Sequence, residues 1–307
     1  MASTQPVKAT FASWLHPVRN DEVTVSYPGP HLGGPFFLTR LYGGTTIALG
    51  YLAIKELIPG IIVSRIQVTF YSPGDSSIAI TYKLVRSVAS AIFHLDVLQG
   101  ERYIAKIHIR AVSSPSLRYQ KPFNPANKPE KPISECRQIT DMRMMSPHPA
   151  VEHFSNYRYN YEWALIVKPI EWDIFFGSNP KRVPIRNYAT LNADIVDKNS
   201  VAKIDPVAIL LLGSDFMVFQ SGRNIHQNLG LTDECASGAT MNFDAWIHDV
   251  EGIKVFDDFV FHNFMEVFAH NCTSMPGKVF DTDGKCLMTY HQESLITPLN
   301  DATVVIN

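Results

Sequence analysis

The chain is poor in charge, in clustered basic residues and in long apolar runs. Charged residues make up 18% of its 307 residues, whereas an average soluble protein has roughly 25%. This low fraction favours large buried surfaces, either in a long core or in an oligomer interface. The formal net charge is -2 and no Lys/Arg cluster occurs, so nucleic acid is not expected as a partner. No run approaches the ~18 apolar residues of a membrane span, and the first ten residues lack the apolar core of a secretory signal.

Motifs for metals, nucleotides and covalent catalysis are also lacking. The cysteines have no Cys-x-x-Cys spacing, so we expect free thiols in a reducing compartment: Cys136, Cys235, Cys272 and Cys286. The turn 281–284 superficially resembles a calcium loop but has no distal Glu, and we expect no metal site. No Gly-x-Ser-x-Gly elbow and no Gly-rich nucleotide motif occur, so no cofactor is expected. Without a terminal Ser-Lys-Leu, the expected location is the cytoplasm, with the peroxisome left open.

The first half of the chain contains one strong helix signal followed by strands. Apolar residues cover nearly the whole surface of a predicted helix over 45–58, and Pro59-Gly60 ends it. Alternating patterns predict strands at 66–71, 78–85, 89–98 and 102–112. Prolines recur between 113 and 150, which predicts an extended linker.

The second half repeats this order. Asp205-Pro206 opens a second apolar helix, predicted from 207 to about 220. Strands are predicted at 165–172, 240–247, 256–271, 278–280 and 286–297. The repeated pattern predicts an α+β double hotdog, in which two curved antiparallel sheets each wrap around a long buried helix. The expected units are an N-terminal hotdog at 1–115, a linker at 116–160 and a C-terminal hotdog with the active site at 161–307.

Three polar residues lie in apolar surroundings in the second half. Asp215 lies within the apolar stretch 209–219, where a carboxylate is costly unless it is paired or functional. Thr240 and Gln292 taken singly are compatible with ordinary strand positions. Together, a carboxylate, a hydroxyl and an amide can hold and polarise a water molecule. That set suits hydrolysis of a reactive acyl group, such as a thioester, without a covalent intermediate.

Short motifs in both halves resemble those of a known family, the type II acyl-CoA thioesterases of the thioesterase B type. The motifs are Leu41–Gly44, Phe70–Asp75, Gly213–Phe216, Ala239–His248, Asp283-Gly284 and His291–Glu293. Each is short, but their joint order and spacing make the match specific, and the linker region is unmatched.

The resemblance implies a site and a substrate class. Asp215 would be the general base, and Thr240 and Gln292 would hold the attacking water. The segment Gly43, Gly44 and Thr45 would bind substrate, and Gly44 with Thr45 would mark an equivalent, degenerate site in the first half. The oxyanion would lie near backbone N–H groups at a helix N-terminus. The implied substrate is an acyl thioester of CoA or of an acyl-carrier protein, and further pairing into a homo-oligomer is compatible with the family.

The chain departs from the family pattern at substrate-contacting positions. Thr45 stands where the family usually has Gln, and Asn242-Phe243 replaces the family's Asp-His. These departures indicate a specialised acyl group or a carrier-protein donor. Two alternatives therefore stay open: a lyase or cyclase acting on a polyketide thioester, and a non-catalytic protein that binds acyl thioesters. The His that hydratases of this fold carry a few residues after Asp is absent after Asp215.

Overall fold

A computed structural model describes most of the chain. The described residues are 11, 13–33, 39–86, 91–112, 128–139, 164–175, 184–193, 196, 198–216, 235–264 and 266–298. Within them the helices are α1 (Gly43–Leu57), α2 (Trp172–Phe175), α3 (Lys198–Val201) and α4 (Pro206–Phe216). No helix in these ranges is long and apolar enough to cross a membrane.

The strands of the first half are β1 (Val18–Arg19), β2 (Thr24–Tyr27), β3 (Ile62–Phe70), β4 (Ile80–Arg86), β5 (Ile92–Gln99) and β6 (Arg102–Val112). Those of the second half are β7 (Leu165–Pro169), β8 (Ile185–Leu191), β9 (Cys235–Ile247), β10 (Phe259–Asn263), β11 (Val267–Ala269), β12 (Cys272–Phe280) and β13 (Cys286–Pro298). They form one antiparallel sheet in the order β1-β2-β4-β5-β6-β3-β9-β13-β12-β10-β8-β7, with β11 paired to β12.

The two groups of strands join through β3 and β9, which pair from Arg65 opposite Trp246 to Thr69 opposite Asn242. On the outer face, Arg65 forms a two-point ion pair with Asp244, with an Nε–Oδ1 distance of 2.8 Å. The Arg65 guanidinium also lies 4.7 Å from the centre of the Trp246 ring. This pairing turns two edge strands into the middle of the sheet and so removes two exposed edges.

The helices α1 and α4 pack against each other and against the inner face of the sheet. Their sequences are apolar over most of the helix surface because the helices are enclosed except at the last turn of α1, where Glu56 is exposed. Helix α4 is buried from Val207 to Asp215. The inner-face residues of both halves belong to one continuous hydrophobic core. The helix predicted over 45–58 is present as α1, and α4 begins at the predicted Pro206; residues 217–220 lie outside the described ranges.

The prediction of one strand over 256–271 was wrong. The structure contains two strands there, and β11 turns back through His270-Asn271 to pair with β12. Both turn residues have positive φ, 54° and 60°, as a tight two-residue hairpin requires. The turn carries no Gly, the residue that usually marks such a hairpin in a sequence. The strand predicted over 165–172 ends at Pro169, and Trp172 begins α2.

Part of the predicted linker packs on the second half. Cys136 is buried in a small cluster with Tyr188 and Val260, and the Tyr188 hydroxyl donates to the Lys131 carbonyl at 2.8 Å. The rest of the predicted linker, 116–127 and 140–160, lies outside the described residues. The predicted thiols Cys136, Cys272 and Cys286 are free, and the side chain of Cys235 is not among those described.

Candidate active site

The N-terminus of α1 contacts the C-terminal end of α4. The Gly44 N–H donates to Asp215 Oδ2 at 2.7 Å, and the Tyr42 hydroxyl donates to the Leu212 carbonyl at 2.9 Å. A Cβ on Gly44 would lie 2.6 Å from the Tyr42 ring and 2.7 Å from the Leu212 oxygen, and a Cβ on Gly43 would lie 2.8 Å from Asp215 Oδ2. Glycine is required at these two positions because the backbone of one helix approaches the other so closely.

The structure brings the three predicted polar residues together. Asp215 Oδ1 accepts hydrogen bonds from Thr240 Oγ1 at 2.9 Å and from Gln292 Nε2 at 2.8 Å. Gln292 Nε2 lies 2.8 Å from Thr240 Oγ1 as well. The residues come from α4, β9 and β13, which are distant in sequence and adjacent in the fold. A carboxylate, a hydroxyl and an amide therefore converge on one point beside the α1 N-terminus.

A β-bulge gives Thr240 its orientation. In the pairing of β9 with β13, Phe243 lies opposite Gln292 and Asn242 opposite Glu293, but Ser294 lies opposite Thr240, so Met241 is an extra residue. Regular alternation from the buried Phe243 would place Met241 on the inner face and Thr240 on the outer one. The bulge absorbs Met241 and turns Thr240 toward Gln292.

Burial controls the charge of the site. Asp215 is 2% exposed, and its burial raises the pKa of the carboxyl group, while the hydrogen bonds from Thr240, Gln292 and Gly44 lower it by less. A raised pKa makes Asp215 a stronger base once it is ionised. Burial, and after it the charge of Asp215, also raise the pKa of Tyr42 and Tyr290, so both phenols are neutral near pH 7.

The hydrogen bonds leave acceptor capacity in the site. The two lone pairs of Asp215 Oδ1 are used by Thr240 and Gln292, whereas Oδ2 receives one bond from Gly44 and keeps one lone pair. Gln292 Oε1 is buried and has no hydrogen-bond partner. A water molecule could donate its two hydrogens to such acceptors and keep a lone pair directed elsewhere, as a nucleophilic water must.

The predicted substrate-binding segment divides into two parts. Gly43 and Gly44 lie against Asp215, but the Thr45 hydroxyl is buried and donates to the Leu32 carbonyl at 3.3 Å. The expectation that Gly44 and Thr45 mark a separate site in the first half therefore needs correction. The N-terminus of α1 packs against the C-terminal end of α4, so Gly44 belongs to the same site as Asp215.

At the opposite end of the helix pair, an ion pair lies beside the N-terminus of α4. Asp205, which precedes α4, accepts from the Val207 N–H at 3.0 Å and from the Tyr51 hydroxyl at 3.0 Å. Its carboxylate also forms an ion pair with Lys55 of α1. In α4, Val207 near the N-terminus thus corresponds to Gly44 in α1. Its N–H donates to the Asp205 carboxylate, and Lys55 neutralises that carboxylate.

The described residues His248 and Asp249 are adjacent in sequence but do not form an acid–base pair. His248 Nε2 lies 3.0 Å from Thr289 Oγ1, and Asp249 pairs instead with Lys285 at 3.0 Å, so His248 and Asp249 do not act as a pair. Across the described residues, no group of three His, Cys, Asp or Glu side chains could hold a metal ion.

Sequence reasoning missed Ser294 and Tyr42. The buried Ser294 hydroxyl lies 3.1 Å from Gln292 Nε2, and its position two residues after Gln292 on one strand was a usable signal for a shared face. Gln292 Nε2 has two hydrogens for three nearby oxygens, so Ser294 competes with Thr240 and Asp215 for them. Tyr42 immediately precedes α1, and its hydroxyl contacts α4, which no local pattern indicates.

Comparison with known proteins identifies the fold. No protein-family model and no curated protein matches this chain. Solved structures do match over nearly the full length. A protein of unknown function with hot dog fold from Alicyclobacillus acidocaldarius has 14% identity and a TM-score of 0.66, covering 94% of this chain and 97% of its own. An acyl-CoA thioesterase II from Mycobacterium marinum has 12% identity and a TM-score of 0.62, with the same coverage.

A third similar structure is the dehydratase domain of RzxB from Pseudomonas fluorescens. It has 10% identity and a TM-score of 0.54, covering 92% of this chain and 97% of its own. At such identities the likeness shows the fold alone. The chain is a double hotdog protein of the α+β class, as predicted, and the solved structures that share its fold include acyl-CoA thioesterase II proteins.

Proposed function

We propose that this protein hydrolyses an acyl thioester by direct attack of water, with Asp215 as the general base. The observation that carries the proposal is the convergence of Asp215, Thr240 and Gln292 in a buried site beside a helix N-terminus. The similar acyl-CoA thioesterase II structure supports a thioester as the substrate class, because the same fold serves that chemistry there.

In the proposed reaction, water donates one hydrogen to the remaining lone pair of Asp215 Oδ2 and the other to Gln292 Oε1. The water oxygen attacks the thioester carbonyl carbon while Asp215 takes the first proton, which gives a tetrahedral oxyanion. Its collapse breaks the C–S bond, and the departing sulfur receives the proton from Asp215. The products are a carboxylic acid and a free thiol, so one water is consumed and the base is restored.

Gly44 holds the base in this scheme. Its N–H donates to Asp215 Oδ2, so the positive end of α1 stabilises the ionised carboxylate and fixes its orientation. Thr240 and Gln292 fix the other carboxylate oxygen, which leaves one defined direction for the water. These contacts position the reacting atoms before substrate binds, and such preorganisation lowers the barrier.

The test is thiol release from a panel of acyl-CoAs and acyl-carrier-protein thioesters, including β-keto and unsaturated chains. Asp215→Asn should lower kcat by about 10²- to 10⁴-fold, the usual contribution of a general base. Thr240→Val should lower it by roughly 10- to 100-fold, because one hydrogen bond to a charged group is lost. Asp283→Asn, at an exposed turn, is the matched control and should retain activity. Full activity of Asp215→Asn, or no release from any substrate, would contradict the proposal.

A lyase or cyclase is the second candidate, and the shared fold of the RzxB dehydratase domain favours keeping it. Such an enzyme would convert its substrate while keeping the thioester bond. Mass analysis of the products separates the two activities, because hydrolysis yields a free acid and a lyase yields an altered thioester. A binding protein without turnover would give neither product.

A further inference from the structure

The inner face of the second half carries two buried amide side chains without full hydrogen bonding. Asn187 on β8 is 0% exposed, and neither its amide nitrogen nor its oxygen has a partner. Asn263 on β10 is 1% exposed; its oxygen accepts from the Tyr290 hydroxyl, but its amide nitrogen has no partner. A buried unpaired polar group costs about 1–3 kcal/mol, so such groups call for an explanation in function.

These amides form a line that begins at the active site. Tyr290 precedes Gln292 by two residues on β13, so the two side chains share the inner face. Tyr290 crosses the neighbouring strand over Gly277, where a Cβ would come within 2.1 Å of the phenol ring, and so reaches Asn263. Asn187 lies one strand further, on β8, opposite Phe261. Since β13, β12, β10 and β8 are consecutive and about 4.8 Å apart, the line is roughly 14 Å long.

The first half of the sheet provides an internal comparison. The buried Tyr82 hydroxyl there donates to the Thr46 carbonyl at 2.9 Å. In the described parts of β1 to β6, no strand residue has a buried side-chain nitrogen or oxygen without a partner. The fold itself therefore does not require unpaired amides, and their presence is a property of the half that carries Asp215.

An acyl group whose carbonyl reaches Asp215 must lie against an inner face, because Asp215 and Gln292 are both enclosed between the helices and the sheet. We propose that the acyl chain follows the polar line of Tyr290, Asn263 and Asn187 and carries at least one hydroxyl or keto oxygen. Asn263 Nδ2 donates to that oxygen, and Asn187 donates to it or accepts from it. The inference rests on the proposed function and adds an oxygenated acyl chain as the substrate class.

A plain hydrocarbon chain would leave the amides unpaired, whereas an oxygenated chain of equal length satisfies them. Sites that hydrogen-bond a substrate hydroxyl discriminate strongly against analogues that lack it, because the polar groups of the site then stay unpaired. The unpaired amides of the protein therefore predict a preference for the oxygenated acyl chain over the plain one. An oxygen far from the thioester carbon, near Asn187, should raise kcat/KM, as should an oxygen close to that carbon.

The experiment compares pairs of acyl-CoAs of equal chain length, with and without a hydroxyl or keto group at successive positions. Wild type is expected to show at least about tenfold higher kcat/KM for the oxygenated member of the best pair. Asn187→Leu, a substitution of similar volume, should remove that preference mainly by slowing the oxygenated substrate. Asn20→Leu, at an exposed position next to β1, is the control and should retain the preference. If Asn187→Leu does not fold, Asn187→Ala, which also lacks a hydrogen-bonding side chain, gives the same test.

Each outcome decides a different point. Equal kcat/KM within every pair, or a preference that survives Asn187→Leu, overturns the inference and leaves the hydrolase intact; Asn187 would then pair with buried water alone. If no substrate releases thiol, the proposed function fails. Calorimetric binding of the same pairs then tests whether the polar line binds an oxygenated acyl chain. Tighter binding of the oxygenated chain by wild type, lost in Asn187→Leu, supports the polar line, and equal binding overturns it.

Discussion

At the scale of single residues, the buried carboxylate of Asp215, the general base of the proposed reaction, has a cost in stability. Burial favours its neutral form, and three hydrogen bonds favour its ionised form, with burial the larger effect. The folded-state pKa is therefore above the unfolded value of about 3.9. A group of this kind stabilises the fold at low pH, and that contribution is lost as the pH rises through the folded-state pKa.

We therefore predict that Asp215→Asn gains stability over wild type as the pH rises. Below about pH 4 both side chains are neutral and the difference in unfolding free energy should be smallest. From there it should grow with pH and level off once Asp215 is ionised in the folded protein. Urea unfolding of both proteins between pH 4 and pH 8 measures this difference.

The control for this measurement is Asp283→Asn, which makes the same chemical change at an exposed turn. It should follow wild type within about 0.5 kcal/mol, as surface substitutions generally do. A difference between Asp215→Asn and wild type that stays constant or shrinks with rising pH would show that burial does not dominate at Asp215.

The residues of the site differ in how well sequence indicates them. Asp215 stands out because a carboxylate inside an apolar helix needs a reason. Thr240 and Gln292 are ordinary strand residues until their joint resemblance to a family is considered, and the inward orientation of Thr240 depends on the bulge at Met241, which alternation does not predict. Asn187 gave no signal, since its burial depends on the whole inner face.

At the scale of elements, contact between the two helices determines the site. Helix α1 could be predicted from sequence because its apolar residues cover nearly its whole surface, and its bounds differ from the prediction by two residues at the start and one at the end. The meeting of α1 with the end of α4 could not, since it depends on the packing of segments more than 150 residues apart. The His270-Asn271 turn was missed because its left-handed residues are not glycines.

A methyl group at Gly44 should disturb this contact. Gly44→Ala places a Cβ against the Leu212 carbonyl, which is backbone and cannot rotate away, so α1 must shift and lengthen the bond from Gly44 to Asp215. We expect a loss of about 1–3 kcal/mol in unfolding free energy, typical of overpacking, and at least about a tenfold fall in kcat.

The matched control is Gly50→Ala in the same helix. Its Cβ would meet the terminal Cδ1 of the Ile107 side chain and lie 3.3 Å from the Tyr82 ring. Both are side-chain rather than backbone atoms, both lie away from Asp215, and alanine favours helix by up to about 1 kcal/mol. Gly50→Ala should therefore keep wild-type activity. Urea unfolding and thiol release are measured on both variants. Equal unfolding free energies and equal kcat values for Gly44→Ala and Gly50→Ala would refute the packing argument.

At the scale of the whole molecule, the pairing of β3 with β9 joins the two halves into one sheet. The ion pair between Arg65 and Asp244 crosses this junction, and the Arg65 guanidinium stacks on Trp246. Arg65→Met should lower the unfolding free energy by about 1–2 kcal/mol, since charge-assisted hydrogen bonds and a cation–π contact are lost. Urea unfolding at neutral pH and low salt provides the measurement.

Arg110 is the natural comparison, because it lies opposite Arg65 on β6 and is exposed, away from the junction. Arg110→Met should change the unfolding free energy by no more than about 0.5 kcal/mol. Equal effects of the two substitutions would mean that the ion pair across the junction contributes nothing beyond an ordinary surface arginine.

The position of Gln292 on β13 also determines when the site forms during synthesis. The ribosome makes Gly44 early and Gln292 late, and Asp215 emerges between them. A nascent chain that has folded α1 against α4 but lacks β13 holds a buried carboxylate with one of its three hydrogen bonds missing. Assembly of the helix pair is therefore expected to wait for β13, so that the complete group of Gly44, Asp215 and Gln292 arises in one late step of folding.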